Sequence, residues 1–436
     1  MVYGLGSFRD VRLKKAGAFL HQRLVEVGQR GIAIRSLGGN RAGEMRVTRL
    51  LRNPKVRIAE MIEHARDQTK RRVSGLHILA IQDTTSLRDD GSAHSLNLHP
   101  TIAVDAESGT LLGLVHAEFL KHEGGKKASR GKRAIKDKES QRWLTGSEIA
   151  AEFREAGALR VTVIADRESD IYEAFALKPA TVDLLVRANH DRVLGSGDRL
   201  FAQVGRQSEA GRFRVDLAAT PGRKARQALL SVRHCRIDVK RPANRPRSSG
   251  LPETVTLHVV EAREVNAPSG ATPICWRLLT THEVKDFATA RWVCGLYCHR
   301  WTIEELFRVL KTRGFDIERV GISEEPFEKL SIAAMIAAVS ILQLVRERDG
   351  RSNRPLEDVF QPDEQAALEA VSEQLEGKTV RQKNPHKRGS LAYAAWVCAR
   401  LGGWTGYYGK PGPIVMLRGL HTFRAIQKGW AMAENM

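Results

Sequence analysis

Residues 159–175 read LRVTVIADRESDIYEAF. Val161, Val163 and Ile164 form a short buried-strand pattern that stops at Asp166. Glu168 and Asp170 then fall in the first turn of what reads as a helix. The same order recurs upstream in residues 77–87, HILAIQDTTSL, where the apolar run Ile78, Leu79, Ile81 gives way to Asp83. Acids at strand ends in an α/β core point into a shared crevice, where ligands usually bind. Either aspartate alone is better accounted for as a turn or helix-cap residue than as a catalytic one.

A third acid lies in residues 297–311, YCHRWTIEELFRVLK, where Tyr297, Arg300, Glu304 and Lys311 sit at offsets of 0, 3, 7 and 14. On one α-helix those offsets share a face. The helix expected here is otherwise largely apolar, with Val293, Leu296, Trp301, Ile303, Leu306, Phe307, Val309 and Leu310. Polar groups on a mostly buried helix cost free energy unless partnered, and phosphate with metal would supply partners. The plainer alternative is an Arg300–Glu304 ion pair on a solvated face. Three carboxylates are hard oxygen donors suited to Mg²⁺ or Mn²⁺. Two such ions about 3.5–4 Å apart clamp both oxygens of an in-line phosphoryl displacement.

Taken together, these motifs resemble the DDE transposases of bacterial insertion sequences, specifically the type-four insertion-sequence group with its Y-x2-R-x3-E-x6-K signature. Tyr297, Arg300, Glu304 and Lys311 match that signature without a gap, and Asp83 in QDTTSL and Asp166 in ADRESDI match the two aspartate motifs. Residues 272–284, TPICWRLLTTHEV, resemble the strand before the signature, with Trp276 at the base-flipping tryptophan. The likeness extends to LRNPKV, KESQRWL and ARLGG, and so covers nearly the whole chain.

The resemblance implies an α/β, ribonuclease-H-like catalytic core with a β-rich insertion, flanked by helical N-terminal and C-terminal domains. It assigns Asp83, Asp166 and Glu304 as catalytic residues holding two Mg²⁺ or Mn²⁺ ions. Tyr297, Arg300 and Lys311 become DNA contacts, and Trp276 stacks on an extruded base during hairpin formation. Glu168 and Asp170 rank behind as helix-start or supporting residues. The implied reaction is cut-and-paste transposition: a nick, a hairpin, its opening, and joining of the 3′-OH to target DNA. The implied partners are the transposon's inverted-repeat ends, target DNA, and a second copy of the chain in a homodimeric synaptic complex.

Composition agrees with a polyanion partner. The 436 residues carry 70 Lys+Arg against 50 Asp+Glu, a formal charge of +20. Such an excess favours phosphate, although by itself it does not separate DNA from RNA or an acidic membrane surface. With 42% hydrophobic residues the chain can bury two or three domain cores. No apolar run is expected to approach the ~20 residues of a membrane span, and MVYGLGSFRD lacks a signal-peptide core. A bacterial cytoplasm is expected, with no membrane partner. Cys235, Cys275, Cys294, Cys298 and Cys398 include no CxxC pair, so neither disulfides nor zinc are expected.

The domains are expected at 1–70 (helical, DNA-binding), 71–345 (catalytic, insertion about 184–275) and 346–436 (helical, dimerising). Leu20, Leu24 and Val27 stripe a basic first helix. Against the family pattern the start is short, and a missing first helix would weaken sequence-specific end binding. HPTIAVDAESGTLLGLVHAEFL reads as a hairpin around Glu107-Ser108-Gly109, and residues 121–138, with eight Lys/Arg, as a loop that orders on phosphate. Arg206 to Arg247 holds twelve Lys/Arg against three acids, which suits a DNA-facing sheet. GRSNRPLEDVF reads as a linker. Leu417, Leu420, Phe423 and Trp430 give the last helix an apolar stripe, exposed or half-exposed. Two rivals remain: a catalytically silent DNA-binding inhibitor or remnant, and another ribonuclease-H-like nuclease.

Overall fold

Ile78, Leu79, Ala80 and Ile81 are all fully buried, as are Val161 and Ile164. Unbroken apolar runs of this kind suit parallel strands covered on both faces. The computed structural model describes residues 4–27, 31–89, 95–121, 140–217, 225–245, 247–312, 314–407 and 409–434. Within them the strands are β1 His77–Gln82, β2 Thr85–Asp89, β3 Ser95–Asp105, β4 Leu111–Lys121, β5 Arg160–Ala165, β6 Asp183–Arg187, β7 Gly211–Leu217, β8 Arg226–Lys240, β9 Thr254–Val265 and β10 Cys275–Thr280. The class is mixed α/β. The basic loop expected at 121–138 lies, apart from Lys121, outside the described residues.

Contacts divide the chain into two units. The first comprises Met1–Ser74, Thr84–Glu123 and Thr302–Met436; the second comprises Gly75–Asp83 and Gly124–Trp301.

The second unit is built on strands in the order β1-β5-β6-β10-β9-β8-β7. β1, β5 and β6 run parallel, and β10, β9, β8 and β7 follow as antiparallel neighbours. The span 184–275 is thus strand-rich, as expected. Helix Gln141–Glu155 packs on β5 and β1 and ends before Gly157, whose φ of 94° suits a residue without Cβ. The outer strand β7 buries no residue.

The first unit pairs β2, β3 and β4 antiparallel, with β3 and β4 joined through the Asp105–Thr110 turn. Helix Ile58–Lys70 is fastened to β4 by Arg66 and Thr69, which donate to the carbonyls of Val115 and Leu114 at 2.9 and 2.8 Å. Helix Val11–Val27 buries Leu20 and Leu24 completely.

Three expectations are corrected in this unit. Helix Glu324–Glu347 is long and apolar enough to cross a membrane, against the expectation that no run reaches that length. Its most apolar window is 89% buried inside the fold, so its composition follows from packing. The segment read as a linker is part of the core: Leu356, Val359 and Phe360 are buried, and Asp358 pairs with Arg72 at 2.9 Å and Arg354 at 2.5 Å. In helix Pro413–Glu434, Leu417, Leu420 and Phe423 are buried within the unit. Of the stripe, only Trp430 stays exposed, alongside Ile426 and Met432 of the same helix.

Candidate active site

β1 and β5 are neighbours in parallel register, with Ala80 opposite Val163 and Ile81 opposite Ile164. Asp83 and Asp166 each follow directly on the end of one of these two strands, which lie about 4.8 Å apart where they pair. Both aspartates are half-buried. The polar break at the end of each apolar run therefore marks one shared edge of the second unit.

Each carboxylate has a partner. Asp83 Oδ2 accepts from Arg300 Nη1 at 2.8 Å, with both side chains largely buried. Asp166 Oδ1 accepts from the Glu168 backbone N–H at 2.9 Å, capping the 3₁₀ turn Arg167–Ser169. Tyr297 is buried at 5% exposure, and burial pushes its phenol above the usual range. The guanidinium groups of Arg300 and Arg187 beside it pull the other way, and Asp166 adds to the rise. Trp276, half-buried on β10, meets the Tyr297 ring edge-on at 6.1 Å between centroids.

The expectation of one helix carrying Tyr297 through Lys311 is corrected. Helix Phe287–Cys298 ends, and a new helix begins at Trp301. At the junction the N–H groups of His299 and Arg300 bond the carbonyls three residues back, Leu296 and Tyr297. The turn tightens there, in a run of His, Trp, Thr and Ile with modest helix propensity. Arg300 sits in this break and reaches Asp83. Lys311 falls just past the second helix and pairs with Glu318 at 2.8 Å.

The second unit thus gathers Asp83, Asp166, Trp276, Tyr297 and Arg300. Glu304, half-buried on helix Trp301–Leu310, and Lys311 belong to the first unit. The two rival acids are committed elsewhere. Glu168 is exposed and bonded to Arg142 at 2.9 Å. Asp170 is buried, accepting from the backbone of Asn189 and His190 at 2.7 and 2.9 Å and from Arg192 at 2.6 Å. Two residues escaped the sequence reading. Arg187 ends β6, and Trp301, 50% exposed, lies 5.5 Å from the Arg300 guanidinium. The signal for Arg187 was available: LLVR is another apolar run ending in a charge.

Among the described residues, no group of three or more His, Cys, Asp or Glu side chains is arranged to hold a metal ion. The donor types suit a hard cation. No protein-family model matches the chain.

Proposed function

We propose that the chain is a DDE transposase of the type-four insertion-sequence kind, a DNA strand-cleaving and strand-joining enzyme on a ribonuclease-H-like core. One observation carries this reading: Asp83 and Asp166 follow the ends of the paired parallel strands β1 and β5, with Arg300 bonded to Asp83 and Tyr297 near Arg300, Arg187 and Asp166. Guanidinium forks and a phenol are donors matched to phosphate oxygens, and fixed cations help most where a transferring phosphoryl group spreads its charge. Trp276 offers an aromatic face for an extruded base. The formal charge of +20 supports a DNA partner. Asp83, Asp166 and Glu304 remain the acids proposed for Mg²⁺ or Mn²⁺, with Lys311 as a further DNA contact. A homodimer on DNA ends in a bacterial cytoplasm belongs to the same proposal.

The test is incubation of the purified protein with linear DNA carrying the element's inverted repeats, with Mg²⁺ or Mn²⁺ and with chelator. Metal-dependent nicks at the ends, followed by covalently closed hairpins, are expected, and Asp83→Asn, Asp166→Asn and Glu304→Gln each abolish them. DNA binding without nicking would sink the enzyme reading. It would leave the catalytically silent remnant, which the Asp83–Arg300 pairing favours. Cleavage without hairpins would point to another nuclease.

A further inference from the structure

The second unit holds a cavity of about 610 Å³ between the segment after Asp166, the His190–Val193 turn and the end of β8. That size falls within the range of ligand sites. Five cations line it: Arg192, Arg199, Lys240, Arg241 and Arg245. Three carboxylates share the walls, those of Asp170, Glu173 and Asp191. We infer that this cavity binds the phosphate backbone of a nucleic-acid strand.

The acids are committed to the fold. Asp170 is saturated by two backbone N–H groups and Arg192. Glu173 is held by Arg245 at 2.5 Å, and Asp191 Oδ1 accepts from the Phe201 N–H at 2.8 Å. Those bonds fix Arg192 and Arg245 in place as rigid walls. Lys240 and Arg199 are exposed at the rim, Arg199 steadied through the Asp191 carbonyl at 2.9 Å. With five cations against three spoken-for carboxylates, the lining carries a surplus of positive charge.

The walls are pre-set by backbone bonds, since Lys240 N–H donates to Val193 O at 2.9 Å and Gly195 N–H to Asp238 O at 2.8 Å. Tyr172 in the lining is buried with its hydroxyl on Pro252 O at 2.8 Å, and His190 is the exposed ring there. Phosphate contacts without base contacts position a strand but do not read its sequence. A strand, in preference to a free nucleotide, rests on the proposed function. The cavity wall includes Asp170, four residues past Asp166 in the chain.

The experiment compares the full-length protein with the Arg199→Glu/Lys240→Glu double variant and with Lys285→Glu, an exposed control paired to Glu283. Circular dichroism melts check folding. Fluorescence anisotropy with a labelled 20-nucleotide oligodeoxynucleotide over a salt series reads strand binding, and AMP competition reads the nucleotide arm. The double variant is expected to weaken strand binding at least tenfold for every sequence tried. Its log–log salt slope should fall by about 1.4, the loss of two single-strand phosphate contacts. Losses equal to those of Lys285→Glu overturn the inference. AMP competing at strand-like concentrations overturns the strand as occupant. If wild-type protein cleaves no DNA yet the double variant still loses strand binding, the enzyme reading fails and the cavity assignment stands.

Discussion

Arg300 Nη1 lies 2.8 Å from Asp83 Oδ2, and their side chains are only 12% and 18% exposed. The aspartate at the end of β1 is thereby neutralised by a residue from the break between two helices, 217 positions along the chain. Removing one partner of a largely buried pair strands the other's charge. Arg300→Ala is therefore expected to destabilise the fold by about 2–3 kcal/mol, and Asp83→Asn by less, since the amide keeps a hydrogen-bond acceptor. A double-mutant cycle read by urea denaturation should return a coupling of about 1–3 kcal/mol. Additive losses would mean the pair is absent in solution.

Tyr297 separates two roles that a larger substitution would merge. Tyr297→Phe keeps the ring against Trp276 and removes only the hydroxyl facing Arg187 and Arg300. The stability loss should stay within about 1.5 kcal/mol, while end cleavage drops tenfold or more. Trp276→Ala should spare the first nick and suppress hairpin formation, because an unstacked base then lacks an aromatic face. Gel analysis of end-labelled DNA separates the two products. Equal loss of nick and hairpin in Trp276→Ala would assign Trp276 to packing.

The strand-end acids were legible because strands buried on both faces are mostly apolar and carry no charge inside, so Asp83 and Asp166 stand out where the runs end. The break at His299–Arg300 was not, since apolar spacing persists through a single tightened turn. Residues 350–360 misled by composition: Gly, Ser, Asn and Pro suggested a connection, yet Asp358 between Arg72 and Arg354 anchors it. Helix Glu324–Glu347 shows the limit of composition again, because a mostly buried core helix and a membrane helix use the same residues. Long-range pairings such as Asp83–Arg300 leave no periodic trace at all.

Two glycines of the last helix should respond oppositely to the same change. A Cβ on Gly419 would lie 1.6 Å from Cys398 O, where helix Pro413–Glu434 touches helix Leu391–Leu401 backbone to side. Gly419→Ala must push the helices apart and should cost at least about 1–3 kcal/mol. Gly429, exposed on the same helix, has nothing within 4 Å of a built Cβ. Gly429→Ala should gain up to about 1 kcal/mol through helix propensity. Thermal melts of the two variants test the pair, and a neutral Gly419→Ala would show that these helices do not touch there.

Acid should unfold the protein through two buried histidines. Burial, with Arg424 adding, lowers His21 from 6.5 to about 4. Burial likewise lowers His282 to about 4, Arg160, His77 and Lys178 adding and the nearby Asp183 opposing. A histidine depressed in the fold gives stability that is present above its unfolded value and lost as pH falls toward the folded one. The window is therefore pH 6.5 down to about 4, and by pH 5 each histidine should have cost roughly 2 kcal/mol. His282 Nε2 shares a 2.9 Å hydrogen bond with Thr162 Oγ1, which His77 also meets at 2.8 Å. His282→Gln can keep that bond without titrating, so it should flatten its share of the pH dependence in urea midpoints between pH 7.5 and 5. An unchanged slope would mean that His282 takes up its proton in the folded protein as readily as in the unfolded chain.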